Sequence, residues 1–238
     1  MTRARRSVSP GAFDAVCFDF FDTLCVIDEG RYFEGQRAVA GMLGLPFDSF
    51  FRFWVEAGKA GQIGDFQTER DRFLHVLARL DREISGPLLT RAVALQQEVL
   101  LDATALHLDA EETLRALQRA PGYRTGLISN ATSSAFLLFL NLRLPQFFHE
   151  ILFSFQVGAM KPARQIYLLA CQRLRVDPSR TLFIGDGGAQ ELDGARLAGM
   201  TAVKIHRQGV LELFRRGESR GWDRELNDLR EILPDLGV

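Results

Sequence analysis

The 238 residues are 47% hydrophobic and 25% charged, enough for one sizeable core or a core with a smaller unit attached. A net charge of −1 offers no electrostatic case for nucleic acid or an anionic membrane surface, and no apolar run reaches the length of a bilayer span. Three cysteines, Cys17, Cys25 and Cys171, are odd in number and sit in or beside apolar stretches, which argues against a disulfide framework and for a reducing, cytoplasmic setting.

In chain order, residues 1–12, with Arg3, Arg5 and Arg6, read as a flexible tail. Val16, Cys17 and Phe18 begin a short buried strand, and Asp19 follows it. A carboxylate there belongs at the strand's C-terminal edge, where parallel sheets bind ligands. Over 28–107 the periodicity turns helical without strand signals, giving helices near 32–43, 47–57, 68–80 and 88–101, with Gly58, Gly61 and Gly64 marking a flexible loop. Asp109 is placed to cap a helix running to Arg119. Strands then alternate with helices: a strand from Thr125, a helix at 133–142, a strand at 151–154, and a helix started by Pro162 and ending near 174. A strand from Thr181, a helix at 191–198 and a strand at 202–205 follow. This alternation predicts an α/β fold with a parallel sheet covered on both faces. The last segment, 222–236, reads as an amphipathic helix.

Four stretches set reactive groups at strand ends or helix starts: Asp19, then Ser129-Asn130, then Lys161-Pro162, then Gly185-Asp186. In that order they resemble the four motifs of the haloacid dehalogenase superfamily, most of whose members are phosphatases. The resemblance covers about residues 13–206 and implies a Rossmann-like core over 13–27 and 108–238, with a helical cap inserted at 28–107. It implies that Asp19 attacks phosphorus to form an aspartyl-phosphate. Mg²⁺ would rest on Asp19, the Phe21 carbonyl and Asp186, while Thr23, Ser129, the Asn130 amide and Lys161 hold the phosphate. Glu191 falls where relatives often carry another Asp. It either binds a metal water or orients Lys161, or it is a surface helix acid. The implied partner is a small phosphorylated molecule, and the chain is expected to act as a monomer or homodimer.

The first motif departs from the family pattern. Phosphatases of the family usually place a second Asp two residues after the nucleophile as general acid and base, and here that position is Phe21. Proton transfer typically contributes 10²–10⁴-fold, so its loss matters. Asp22, in a position usually given to glycine, either replaces that acid or is a turn carboxylate bonding nearby amides. Phe21 also resembles the metal-free dehalogenase branch, although Gly185-Asp186 favours a magnesium enzyme. Lys59, within the expected cap, admits a Schiff-base role like that of the phosphonatase branch or the role of a solvated loop lysine. A phosphate-binding protein without catalysis is a further alternative. Eight aromatic residues, Phe33, Phe47, Phe50, Phe51, Phe53, Trp54, Phe66 and Phe73, crowd the expected cap. If some line its entrance, a substrate joining a sugar phosphate to a flat apolar group would suit it.

Overall fold

The computed structural model describes residues 11–208 and 217–238. The three arginines of the expected tail therefore lie outside the described residues. The chain enters through β1 (Ala15–Phe18), whose four residues are all buried. Val16 and Phe18 face one core cluster, and Ala15 and Cys17 face another, as the period-two geometry of a strand requires. A strand apolar on both faces belongs at the centre of a parallel sheet, and that is where β1 lies.

After a tight loop, β2 (Cys25–Ile27) leads into four helices: α1 (Glu29–Met42), α2 (Phe47–Gly61), α3 (Glu69–Arg79) and α4 (Gly86–Asp102). Three of the four starts are capped by a local side chain. Asp28 accepts from the Arg31 amide at 2.9 Å, Thr68 and Asp71 form a capping box, and Ser85 accepts from the Leu88 amide at 3.4 Å. β3 (Thr104–Leu106) returns antiparallel to β2. This two-stranded ribbon at the base of the helices is a correction to the strand-free reading of this region. Three residues per strand are too few to register as alternation.

The chain then continues through α5 (Leu108–Arg119), β4 (Arg124–Ser129), α6 (Ser133–Asn141), β5 (Glu150–Phe153), α7 (Ser154–Val157) and α8 (Arg164–Leu174). It ends with β6 (Thr181–Gly185), α9 (Glu191–Ala198), β7 (Thr201–Ile205), β8 (Arg224–Leu226) and α10 (Leu233–Leu236). Six strands pair in the order β5-β4-β1-β6-β7-β8, each neighbouring pair parallel. Apolar residues of α8 and α9, such as Ile166, Ala170, Leu192 and Ala195, cover one face. Ala110, Leu114 and Leu117 of α5 and Leu138 and Phe139 of α6 join the cluster on the other. The α/β fold with a parallel sheet flanked by helices is thus present.

Four local expectations need correction. The segment 222–236 is not one helix but β8, a 3-10 turn at Leu229–Ile232 and the four-residue α10. Asp228 starts a capped turn there with Glu231, and Pro234 cannot sit inside a continuous helix. Gly58 and Gly61 are not loop residues but belong to α2, where they allow close approach: a Cβ at Gly58 would stand 2.7 Å from Arg72 Nη2. Asp109 lies in the first turn of α5 rather than at its cap, and its carboxylate accepts from Arg207 Nη1 and from the Leu229 amide, each at 2.8 Å. Pro162 does not start α8, which begins at Arg164; the Lys161-Pro162 peptide is cis.

Candidate active site

The topology brings the ends of β1, β4 and β6 side by side, because β1 pairs with both of the others. Asp19 follows β1 directly, Ser129 closes β4 and Asp186 follows β6. The Asp19 amide donates to the Ile184 carbonyl at 2.9 Å, which ties the first strand end to the third. All three side chains border one cavity of about 180 Å³, and Lys161 and Glu191 border it too.

These groups form a tight charged cluster. Lys161 Nζ lies 2.5 Å from Asp19 Oδ1 and 2.5 Å from Glu191 Oε2, with all three side chains nearly removed from solvent. Asp19, Asp186 and Glu191 also offer carboxylate oxygens within 4.8 Å of one another, a donor set that suits a hard divalent cation. Lys161 is thus shared by two buried carboxylates, with the Asp186 carboxylate close by. Burial accordingly pushes the Asp19 carboxyl up, opposed by the Lys161 charge, and raises Glu191 well above the usual carboxylate range, with the Asp19 charge adding to the effect. Burial pulls the other way on Lys161, but the Asp19 and Glu191 carboxylates more than offset it and hold the ammonium protonated.

Each member is positioned by its surroundings. The Asn130 side chain grips the Lys161 backbone from both sides, accepting from its amide at 2.7 Å and donating to its carbonyl at 2.9 Å. The sequence reading assigned Asn130 only an amide; its carboxamide has this second task. Glu191 is buried at the start of α9, so the surface-acid alternative is excluded. Its Oε1 accepts from the Gly187 amide at 3.0 Å, and the space its carboxylate occupies is the space a Cβ at Gly185 would fill. Ser129 Oγ is buried and has no hydrogen-bond partner among the described residues. A buried hydroxyl beside a cavity and without a partner points to a ligand that supplies one.

The loop after Asp19 turns within a few residues: the Phe20 carbonyl accepts from the Leu24 and Cys25 amides, and the Asp22 amide donates to the Cys25 carbonyl at 2.8 Å. Asp22 adopts φ of 56°, the left-handed region that glycine favours and aspartate tolerates better than most residues. That explains an acid where glycine is usual. Phe21 and Asp22 both border the cavity. Thr23 does not; it is fully buried, its Oγ1 has no partner among the described residues, and its carbonyl accepts from Arg207 Nε and Nη2 at 3.1 and 2.7 Å. Arg207, which the sequence reading missed, thereby joins this loop to Asp109.

The opposite wall comes from the helices. Tyr32, Lys59, Gln62, Arg72, Gln96 and Leu100 border the cavity there, and none of the eight aromatic residues singled out from the sequence does. Phe50 stacks on Trp54 and Phe73, which meet each other at a tilt inside the helical layer, and Phe33, Phe47 and Phe51 form a second group. Lys59 is exposed on the last turn of α2 rather than on a loop. Arg72 and Glu69 were missed although a signal existed: they occupy the buried stripe of α3 with Phe73, Val76 and Leu77, positions that spacing reserves for apolar residues.

Residues 13–199 match the haloacid dehalogenase-like hydrolase family. The chain belongs to that family. A glyceraldehyde 3-phosphate phosphatase of Methanopyrus kandleri is 27% identical over 92% of this chain and 95% of its own. An (S)-2-haloacid dehalogenase of Burkholderia cepacia is 34% identical over 54% of each chain. Among solved structures, a phosphatase of the family from Thermococcus onnurineus is 26% identical with a TM-score of 0.65, covering 94% of this chain and 98% of that one. Membership makes the protein a hydrolase. Among the described residues no helix is long and apolar enough to cross a membrane.

Proposed function

We propose that this hydrolase is a magnesium-dependent phosphatase acting on a small phosphomonoester, with α1 to α4 as its cap. The observation that carries the reading is the buried cluster of Asp19, Asp186 and Glu191 beside Lys161, whose carboxylate oxygens lie within 4.8 Å of one another, a donor set that suits a divalent cation. Asp19, Asp186 and the Phe21 carbonyl would hold Mg²⁺, with Glu191 orienting Lys161 and contributing to the outer sphere. Bound there, the ion supplies charge stabilisation for the transferring phosphoryl group.

The chain's own residues then divide the work. An Asp19 carboxylate oxygen attacks phosphorus as the ester P–O bond breaks, and Asp22 gives its proton to the departing oxygen. Lys161, the Ser129 hydroxyl and the Asn130 amide hold the phosphoryl oxygens as charge develops. Water then attacks phosphorus in the aspartyl-phosphate, Asp22 takes its proton, and phosphate leaves with the Asp19 carboxylate regenerated. Packing of the cap against the core excludes bulk water from these steps. None of the eight aromatic residues borders the cavity, and Lys59, Gln62, Arg72 and Gln96 stand beside Tyr32 and Leu100 on its helical wall, which suits a substrate with a polar far end better than one with a flat apolar group.

A second reading has its own support. Phe21 stands where the family's second acid usually stands, and a dehalogenase is among the relatives, which favours attack of Asp19 on carbon with release of halide. One experiment separates the two: phosphate release from a panel of phosphomonoesters and halide release from 2-haloacids, each with magnesium and with excess chelator. The phosphatase reading expects phosphate release that the chelator abolishes. Halide release that survives the chelator, with no phosphate from any ester, would replace it.

A further inference from the structure

The cap wall carries charge that the phosphoryl chemistry does not use. Arg72 is buried on α3, yet it borders the cavity. Its guanidinium lies over the Trp54 ring at 3.7 Å and donates through Nη2 to the Trp54 carbonyl at 2.7 Å. Its acidic neighbour is Glu69, at 3.7 Å from Nη1, too long for a hydrogen bond. Nε is buried and has no partner among the described residues. Glu69 is itself drawn away, since its Oε2 accepts from Ser134 Oγ on the core side, and its Oε1 has no hydrogen-bond partner among the described residues. Burial pulls the Arg72 pKa down, with the Glu69 charge opposing it, as expected of a guanidinium whose compensation is incomplete.

Two further features make this a place for a ligand. Gly58 leaves open the space that the guanidinium occupies against α2, since a Cβ there would meet Nη2 at 2.7 Å. Lys59, the next residue along, also borders the cavity. Arg72 and Lys59 are the charged residues of the cap wall, whereas every acid lining the cavity, Asp19, Asp22, Asp186 and Glu191, lies on the core wall. A substrate held by its phosphate on the core wall therefore meets two cations at its other end.

Resting on the phosphatase reading above, we infer that Arg72 and Lys59 form an anion subsite, and that the substrate is a small phosphomonoester carrying a second anion, a carboxylate or a second phosphate, at its far end. Guanidinium and ammonium groups both recognise these anions through charge-assisted hydrogen bonds, and the Arg72 fork suits either oxyanion. Gln62 and Gln96, which also border the cavity, add neutral donors for a polar linker between the two anions.

The test uses three esters that differ only at the far end: glycerol 3-phosphate, 3-phosphoglycerate and glycerol 1,3-bisphosphate. The subsite predicts that kcat/KM of the wild type is at least about tenfold higher on one or both charged-ended esters than on glycerol 3-phosphate. The larger of the two gains tells carboxylate from phosphate. Arg72→Gln and Lys59→Gln should each lower that ratio, through KM rather than kcat, and Arg72→Lys should restore part of it. Lys59 is exposed, so its variant keeps the test alive if Arg72→Gln does not fold. A wild-type ratio near one, or a ratio that folded Lys59→Gln and Arg72 variants both preserve, overturns the inference. If none of the three esters releases phosphate, the phosphatase reading fails for them, and calorimetric titration of the same esters decides the subsite. Tighter binding of the charged-ended esters that weakens in Lys59→Gln retains it, and equal or absent binding removes it.

Discussion

The two walls of the cavity are built on opposite plans. On the core wall, the reactive carboxylates and Ser129 sit at strand ends or a helix start, Lys161 lies on the loop before α8, and the charged groups are locked by short contacts: Lys161 between Asp19 and Glu191, Asn130 on the Lys161 backbone, Glu191 on the Gly187 amide. On the cap wall, Phe50, Trp54 and Phe73 pack helix on helix, and Lys59, Gln62, Arg72 and Gln96 border the cavity beside Tyr32 and Leu100. The core wall is organised for a fixed reaction. The cap wall carries groups of one charge sign with incomplete partners, which suits selection of a ligand.

Four substitutions probe that division, in decreasing order of expected effect. Lys161→Met removes the cation between two buried carboxylates. It should cost about 3–5 kcal/mol of stability by leaving them unpaired, and should lower kcat by about 10²–10³-fold; chemical denaturation and steady-state kinetics measure the two. Asp22→Asn should lower kcat by at least about 10²-fold with little change in stability if the acid has moved one residue along the loop. Near-normal rates would make Asp22 a turn residue only. Gly58→Ala should shift the Arg72 guanidinium and raise KM by a few-fold with kcat nearly constant; a large fall in kcat would show that the cap wall takes part in the chemistry. Phe51→Leu alters a ring stacked on Phe47 away from the cavity, and its kcat/KM should stay within about twofold of the wild type. A change in substrate preference there would return the aromatic residues to the binding wall.

The same division explains what the sequence could disclose. Asp19, Ser129 and Asp186 were legible because each stands at the end of a short apolar run, so a local pattern and a strand end coincide, whereas Lys161, on a loop, was legible only through the Lys-Pro pair and the order of the motifs. The sheet was legible for the same reason, since its central strands are apolar on both faces. Asp22 was half legible: its backbone conformation explains why an acid can replace glycine, but no spacing tells whether the carboxylate serves the turn or the reaction. The aromatic helices were legible as mostly core, but the expectation that some of their rings line the entrance was not met, because aromatic content records burial, not the object buried against. Phe50, Trp54 and Phe73 face one another, which composition cannot distinguish from facing a substrate. Glu69 and Arg72 were visible as charges on an apolar stripe, but their meaning required knowing that α3 meets the core at Ser134. The last segment failed on a local rule: Pro234 and the Asp228 turn outweighed an amphipathic pattern.

The central claim is that Asp19 is the nucleophile and that it attacks phosphorus. The most direct measurement is to quench the wild type and Asp19→Asn during turnover of a phosphomonoester with magnesium, and to locate any covalent adduct by peptide mass spectrometry. The account expects a phosphoryl group on the wild-type peptide containing Asp19 and none in Asp19→Asn. Turnover with the phosphoryl group on another residue, or a carbon-linked ester on Asp19 formed only from a 2-haloacid, would contradict it.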